Sequence, residues 1–422
     1  KDSEFQTQEN LEKPSVKVDP NFRIIATASL KGLIDMSPAF LNRFTIIYIN
    51  EQLAINHNAL ASLIQCNALI SSSLKNSRAI ELDINFINLA ISKKTKKLSS
   101  VSSSDISRCV KSFFRLKNKF PTAENTWILD FCFDACINHK SEIPDMNESF
   151  IDILLTNLKE DDFTDLSFDP FHYKEAASTR KIMATLVACS VIGLHTILIG
   201  RTGLGKTAAA LAFSRMSRPT KQTQSHLIAF NGETQLDELY GYFTMNLGSF
   251  DIQQGELSKA MADGEVFIAD ELNLAQQQII QSLNIAIEPD YNQSVILPIT
   301  GSSVSIKEGF FFIGCQNDLT MNGRKPIPES IRKKLLCINY PENSPQDLYN
   351  LILSISKQFN FDRSLAKYIT ALMTALANDK HFSSRQWSLR EVRKLFRRIS
   401  FFKKKVNQMK NFSNIHHVAF ML

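Results

Sequence analysis

The chain has 422 residues, 44% of them apolar and 21% charged, which is enough to bury two or three cores and too apolar for a disordered polymer. Its 48 Lys plus Arg against 42 Asp plus Glu leave a net charge of +6, too mild over this length for a nucleic-acid footprint. Seven cysteines, odd in number and scattered, argue for a reducing compartment rather than a disulfide framework.

Residues 1–20 form a polar lead-in with two prolines and no signal-peptide pattern. Asn21 to Ala28 is expected to be a buried strand, Ser37 to Phe44 a short helix with Pro38 in its first turn, and Thr45 to Ile49 another strand. Apolar periodicity then predicts helices over Glu51–Gln65, Arg78–Ser92, Asp105–Lys117 and Glu124–Asn138, and a helix plus linker over residues 140–170. Strands followed only by helices cannot complete an α/β domain, because their sheet lacks neighbours. Cys132, Cys136 and His139 fall near one helical face, but zinc needs a fourth ligand and none is in reach, so core packing is the reading.

A second unit opens at His172 with a helix over Tyr173–Ile192. The run Ala184–Gly200 is the most membrane-like stretch, yet Ser190, Gly193 and His195 interrupt it, so it reads as helix then strand and not as a span. The strand, His195 to Ile199, feeds GRTGLGKT (Gly200, Arg201, Thr202, Gly203, Leu204, Gly205, Lys206, Thr207), and good helix formers follow from Ala208 to Met216. Strand, glycine-rich turn and helix is the setting a phosphate-binding loop requires. Its glycines let backbone N–H groups turn inward around a polyphosphate, Lys206 reaches the β- and γ-phosphates, and the Thr207 hydroxyl takes a Mg²⁺ position. ATP and Mg²⁺ are therefore the expected ligands.

Downstream, Leu227–Asn231 is a predicted strand, residues 241–252 a hairpin, Glu256–Met261 a helix, Leu274–Glu288 a helix, and the turn at Gly301 a second hairpin. Glu265 to Glu271, EVFIADE, is a buried strand ending in two carboxylates. Asp270 is placed to hold the metal through water, and Glu271 to orient and deprotonate the attacking water. Gly309–Cys315 is a further strand, followed by a short helix over Pro328–Leu335, a strand over Leu336–Asn339 and a helical tail. The pattern at Gly309–Gln358 repeats that at Asn21–Asn76, offset by roughly 290 residues.

Residues 172–400 resemble an AAA+ ATPase module of the dynein-related, midasin-like group. The likeness is carried by GRTGLGKT, by Asn231–Asp237 (NGETQLD) with Leu239–Phe243 (LYGYF), by Gln254–Leu257 (QGEL), by Asp270–Ala275 (DELNLA), by Gln316–Asn317, by Gly323–Lys325 (GRK) and by Ser388–Arg390 (SLR). It implies that Asn317 is the polar sensor between the carboxylates and the γ-phosphate, and that Arg390 is the lid arginine. It also implies a finger for an adjoining module's nucleotide, for which Lys334 aligns with the family's arginine and Arg332 lies two residues earlier. Ser37–Glu51 resembles the end of such a core, with Arg43 at the finger position, Ser29 at the sensor position and Ser104 at the lid-arginine position.

The expected fold is thus α/β, an AAA+ P-loop NTPase with a parallel sheet flanked by helices and with α-helical lids, preceded by a partial, mostly helical module. The boundaries are 1–50 for the end of a preceding core, 51–140 for its lid, 141–171 for a linker, 172–341 for the complete core and 342–422 for its lid. The function this implies is ATP hydrolysis by a tandem mechanoenzyme that remodels a protein or ribonucleoprotein complex, weak in the isolated chain. Neighbouring modules of the same ring are the expected partners. For a midasin-like protein the setting is pre-60S ribosome assembly in the nucleus. The alternatives are a nucleotide-holding structural module with little turnover, or a dynein-related, von Willebrand factor A domain-containing ATPase of another, cytoplasmic pathway. The basic runs Lys93–Lys97 and Lys403–Lys405 read as solvated helix ends, and no nucleic-acid or membrane motif is present.

Overall fold

The computed structural model describes residues 103–138, 143–158, 176–217, 226–246, 249–317, 326–378 and 388–408, with positions 4–5, 16–17, 24 and 87. The chain divides into two compact units, Lys1–Ala54 and Ile55–Leu422. In the first, Glu4–Phe5 (β1) pairs antiparallel with Val16–Lys17 (β2), within the lead-in. Ile24, inside the run expected to be a buried strand, is neither helix nor strand and is 63% exposed. An apolar run becomes a strand only where a sheet receives it, and no strand pairs with Ile24 among the described residues. Arg43, Ser29, the short elements expected up to Ile49, the helix Glu51–Gln65, His139 and Lys93–Lys97 lie outside the described residues, and of Arg78–Ser92 only Ile87, helical and buried, is described.

Beyond Ile87, the described elements of the second unit are first Ser103–Lys119 (α1), Asn125–Phe133 (α2), which runs on as a π-helical turn to Asn138, and Glu148–Leu155 (α3). Next comes Ala177–Ile192 (α4), buried on nearly every side. An all-round apolar helix belongs in the middle of a layer: α4 shares one buried cluster with α1, α2 and α3 on one side and the sheet on the other. None of the described helices is long and apolar enough to cross a membrane. The helices of 103–138, expected as the lid of a preceding module, thus share a core with the following sheet. Cys132 and Cys136 belong to that core, where burial pushes the Cys136 thiol up to about 11. No metal-holding cluster occurs among the described residues.

The remaining elements are Thr196–Ile199 (β3), Lys206–Ser217 (α5), His226–Ala229 (β4), Leu236–Tyr240 (α6), Tyr242–Asn246 (β5), Ser249–Gln253 (β6), Glu256–Asp263 (α7) and Val266–Asp270 (β7). Gln277–Ser282 (α8), Asn284–Ile287 (α9), Ser294–Ile296 (β8), Ser303–Ser305 (β9), Phe311–Gln316 (β10), Glu329–Arg332 (α10) and Leu336–Asn339 (β11) follow. Pro345–Gln358 (α11), Arg363–Asn378 (α12) and Leu389–Gln408 (α13) close the described chain. The sheet is parallel throughout, in the order β11-β3-β10-β7-β4, and the pairs β5–β6 and β8–β9 are the two expected hairpins. Strands buried on both faces read as unbroken apolar runs, and β7 and β10 do so. Val266, Ile268, Phe311 and Ile313 face the α1–α5 layer, while Phe267, Ala269 and Phe312 face α6–α9. A separate small cluster, including Ile352, Ile355, Ile369 and Phe396, holds α11, α12 and α13 together as the lid.

The helix expected over Leu274–Glu288 is divided into a 3₁₀ turn at Leu272–Leu274, α8 and α9. The Tyr240 hydroxyl donates to the Ser282 carbonyl at 2.7 Å, and Ala286 and Ile287 both turn their N–H groups to Leu283 instead. A side chain that takes a carbonyl out of the ladder breaks the helix there.

His195, at the start of β3, is only 4% exposed and packs among Phe310, Phe311 and Phe312, with Nδ1 accepting from the Phe312 amide at 3.1 Å. Burial lowers its pKa from 6.5 to about 4. Between those values the unfolded ring binds a proton that the folded ring refuses, so stability falls as pH drops through this window, by about 3 kcal/mol once complete. His195→Asn keeps an acceptor for Phe312 but cannot titrate. Urea midpoints at pH 7 and pH 5 are expected to converge in this variant relative to the parent chain, and an equal acid loss in both would refute the assignment.

Candidate active site

The strand order builds the site. β10 lies between β3 and β7, so the residue after its carboxyl end, Asn317, stands between the loop that follows β3 and the acidic pair that ends β7. Ligands of open parallel sheets gather at this edge. The Asn317 amide is oriented by two opposite charges: its Oδ1 accepts from Lys206 Nζ at 2.8 Å and its Nδ2 donates to Glu271 Oε1 at 2.5 Å. Asn273 fixes the backbone beneath, donating to the Asn317 carbonyl at 3.0 Å.

Lys206 is 6% exposed. Its ammonium also donates to the carbonyls of Gly200 and Arg201, both at 2.7 Å. All three of its protons therefore have acceptors. The loop backbone reaches this shape through left-handed glycines, with φ of +84° at Gly203 and +101° at Gly205. Gly203 has a second reason to lack a side chain: a Cβ there would lie 2.3 Å from Ser388 Cβ. Ser388 precedes the lid helix α13, its hydroxyl donating to the Glu391 carboxylate and its carbonyl accepting from the Glu391 and Val392 amides. The lid therefore sits directly on the phosphate loop.

Thr207 Oγ1 donates to Asp270 Oδ1 at 3.0 Å, and the same oxygen accepts from the Glu271 amide at 3.1 Å. Glu271 occupies the left-handed region at φ +53°, a conformation that costs a non-glycine residue on the order of 1 kcal/mol and concentrates at functional sites. Thr207 and Asp270 supply adjacent hard oxygen donors, a set that fits Mg²⁺.

These residues line a cavity of about 590 Å³ between core and lid, within the usual range for small-molecule sites. Of the octapeptide, Thr202 to Thr207 line it, and Gly200 contributes its carbonyl to Lys206. Arg201 turns its guanidinium outward to Glu342 at 3.1 Å. Arg390 lines the cavity from α13, joined by Arg393, Lys394 and Arg397, and Arg215 enters from α5. Six cationic side chains thus face two carboxylates, Asp270 and Glu271, an imbalance that suits a polyanion. Arg393, Lys394 and Arg397 were not expected from the motifs, although their spacing from Arg390 marks one helical face. Gln316 was named only as part of the family pattern. It also borders the cavity, and its buried Oε1 has no partner among the described residues.

The two described finger candidates lie elsewhere, since neither Arg332 nor Lys334 lines the cavity. Lys334 Nζ is held within its own unit by Asn284 at 2.9 Å and Glu288 at 3.0 Å, whereas Arg332 is exposed beside the Cys337 thiol.

Comparison with known proteins agrees with this geometry. Residues 195–335 match the family model described as AAA domain (dynein-related subfamily). Midasin of Giardia intestinalis is 28% identical over 210 residues, 48% of this chain and 4% of its own length. The uncharacterized protein YojN of Bacillus subtilis is 24% identical over 222 residues, 51% of this chain and 70% of its own. An uncharacterized protein of Staphylococcus aureus is 26% identical over 186 residues, 43% of this chain and 67% of its own. This chain therefore spans a small part of the midasin and about two thirds of the bacterial proteins. By strand order, by the convergence of Lys206, Asp270, Glu271 and Asn317, and by this match, residues 195–335 are an AAA domain of the dynein-related subfamily.

Proposed function

We propose that this chain binds ATP with Mg²⁺ and hydrolyses it, as one working module of a tandem AAA+ mechanoenzyme. The observation that carries the reading is the Lys206–Asn317–Glu271 bridge, which ties the group suited to phosphate to the group suited to activating water. Thr207 and Asp270 would hold a Mg²⁺ ion, which would supply charge neutralisation on the phosphate oxygens. A polyphosphate competes with the Gly200 and Arg201 carbonyls and with Asn317 for the Lys206 protons. Asn317 thereby reads the phosphate on one side and aims the Glu271 carboxylate on the other. Glu271 accepts the proton of the attacking water.

The work done with that turnover is the remodelling of a protein or ribonucleoprotein complex, with neighbouring modules in one ring as partners. On a midasin-like reading, the substrate would be a pre-60S ribosomal particle in the nucleus. Arg43 and Arg332 are the finger candidates we retain for a neighbour's nucleotide, because Lys334 is committed to Glu288. One observation favours a second reading, a structural module that holds ATP without turnover: Glu271 is itself clamped by Asn317.

Hydrolysis by the chain carrying Glu271→Gln decides between the two. A catalytic base predicts a loss of about 100-fold or more with nucleotide affinity kept within a few-fold, whereas a holding module predicts no change against an already negligible rate. Asn317→Ala is expected to lower turnover by about 10-fold or more through the same bridge, read in the same assay.

The contact between Gly203 and Ser388 yields an independent expectation. Gly203→Ala places a methyl group against Ser388 and strains a left-handed position, so affinity for a non-hydrolysable ATP analogue is expected to fall about 10-fold, in line with about 1–2 kcal/mol. Adding Ser388→Gly removes the opposing Cβ and is expected to restore part of that loss. No recovery in the double variant would mean that the lid does not rest on the loop.

A further inference from the structure

The lid helix α13 carries more charge into the cavity than one arginine. Arg390, Arg393, Lys394 and Arg397 all line it, at spacings of three and four residues that keep them on one face. Val392 and Phe396 occupy the opposite side and are buried in the lid core, and Ile399 on the same side is buried too, which fixes how the helix is rotated. Ser388 rests against Gly203, so the row starts at the phosphate loop and leads away from it. Helix rise places Arg393 about 4.5 Å and Arg397 about 10.5 Å beyond Arg390 along the axis. On the facing wall α5 runs from Lys206 to Arg215, about 13.5 Å by the same rise, and both ends border the cavity. Between them the walls are apolar, formed by Leu211, Ala212, Leu351 and Ile355. Arg398, one residue on, is exposed and does not line the cavity.

We propose that Arg393 and Arg397 are nucleotide-binding residues, extending the contact made by Arg390 into a row of cations that runs the length of the bound nucleoside triphosphate. Arg393 reaches the polyphosphate. Arg397 covers the far end of the apolar stretch, where its planar guanidinium suits stacking on a base. A row of this kind makes affinity depend on ligand charge and on ionic strength, because each ligand charge meets several cations in a part-buried cleft. It also ties lid seating to the nucleotide, since the lid supplies four of the six cations around the cavity. The proposal rests on the nucleotide reading of the same cavity.

The test is a fluorescence titration of the 422-residue chain with Mg²⁺ and a non-hydrolysable ATP analogue, and with ADP, each in low and in high salt. Arg393→Gln, Arg397→Gln, the pair together, Arg398→Gln and Lys206→Ala are compared, with melting temperatures matched to the parent to exclude misfolding. The pair is expected to lose at least tenfold in triphosphate affinity, to lose less for ADP, and to flatten the salt dependence, while Arg398→Gln stays within twofold. Triphosphate affinity of the pair within twofold of the parent in both salts, or an equal loss in Arg398→Gln, overturns the row. Failure of the parent chain to bind nucleotide, or full binding by Lys206→Ala, overturns the site reading itself. The two failures are therefore distinguishable.

Discussion

A single amide links the two halves of this site, and the sheet forces it into place. Because β10 separates β3 from β7, whatever side chain follows β10 must sit between the phosphate loop and the acidic pair. Asparagine is the residue that serves there: its oxygen satisfies an ammonium and its nitrogen a carboxylate, both within hydrogen-bond distance. An aspartate would satisfy Lys206 and repel Glu271, and a leucine would strand both charges in a part-buried setting. The buried strands around it, apolar on both faces, exist to hold that register.

Among the contacts that fasten the lid to the core, two flank the cavity. One is the steric seat of Ser388 on Gly203. The other is electrostatic: Asp347, in the first turn of α11, accepts from the Ala177 amide at 3.1 Å and from the Ser178 hydroxyl at 3.4 Å. A carboxylate at that place caps α4 and meets the positive end of its dipole. Thr179, one residue further on, already lines the cavity.

Much of this was legible in the sequence where chemistry and local periodicity coincide. The phosphate loop, the strand ending in Asp270 and Glu271, both hairpins and the parallel sheet follow from short patterns whose physical requirements are local. Three features are not local and were not legible. The division of the helix after Leu274 depends on Tyr240 reaching a carbonyl 42 residues away. The arginines beyond Arg390 fell within the expected helical tail, but only the burial of Val392 and Phe396 shows which way that face turns. Ile24 sits in a run that alone reads as a strand, yet pairing is a property of the neighbour as much as of the run.

The layer on the outer side of α4 extends the consequence of these contacts to the amino-terminal half of the second unit. α4 begins at the lid's Asp347 and ends at Gly193, which takes a left-handed φ of +74° to turn the chain into β3 and so into the phosphate loop. Arg115 of α1 holds that turn, donating to the Ile192 carbonyl at 2.6 Å, and a Cβ on Gly193 would lie 3.1 Å from the same guanidinium. The helix is too well packed to bend, being buried against α1, α2, α3 and the sheet. It therefore acts as a strut. It joins the lid's Asp347 at one end to the turn into the phosphate loop at the other, with the helices of 103–155 packed along it.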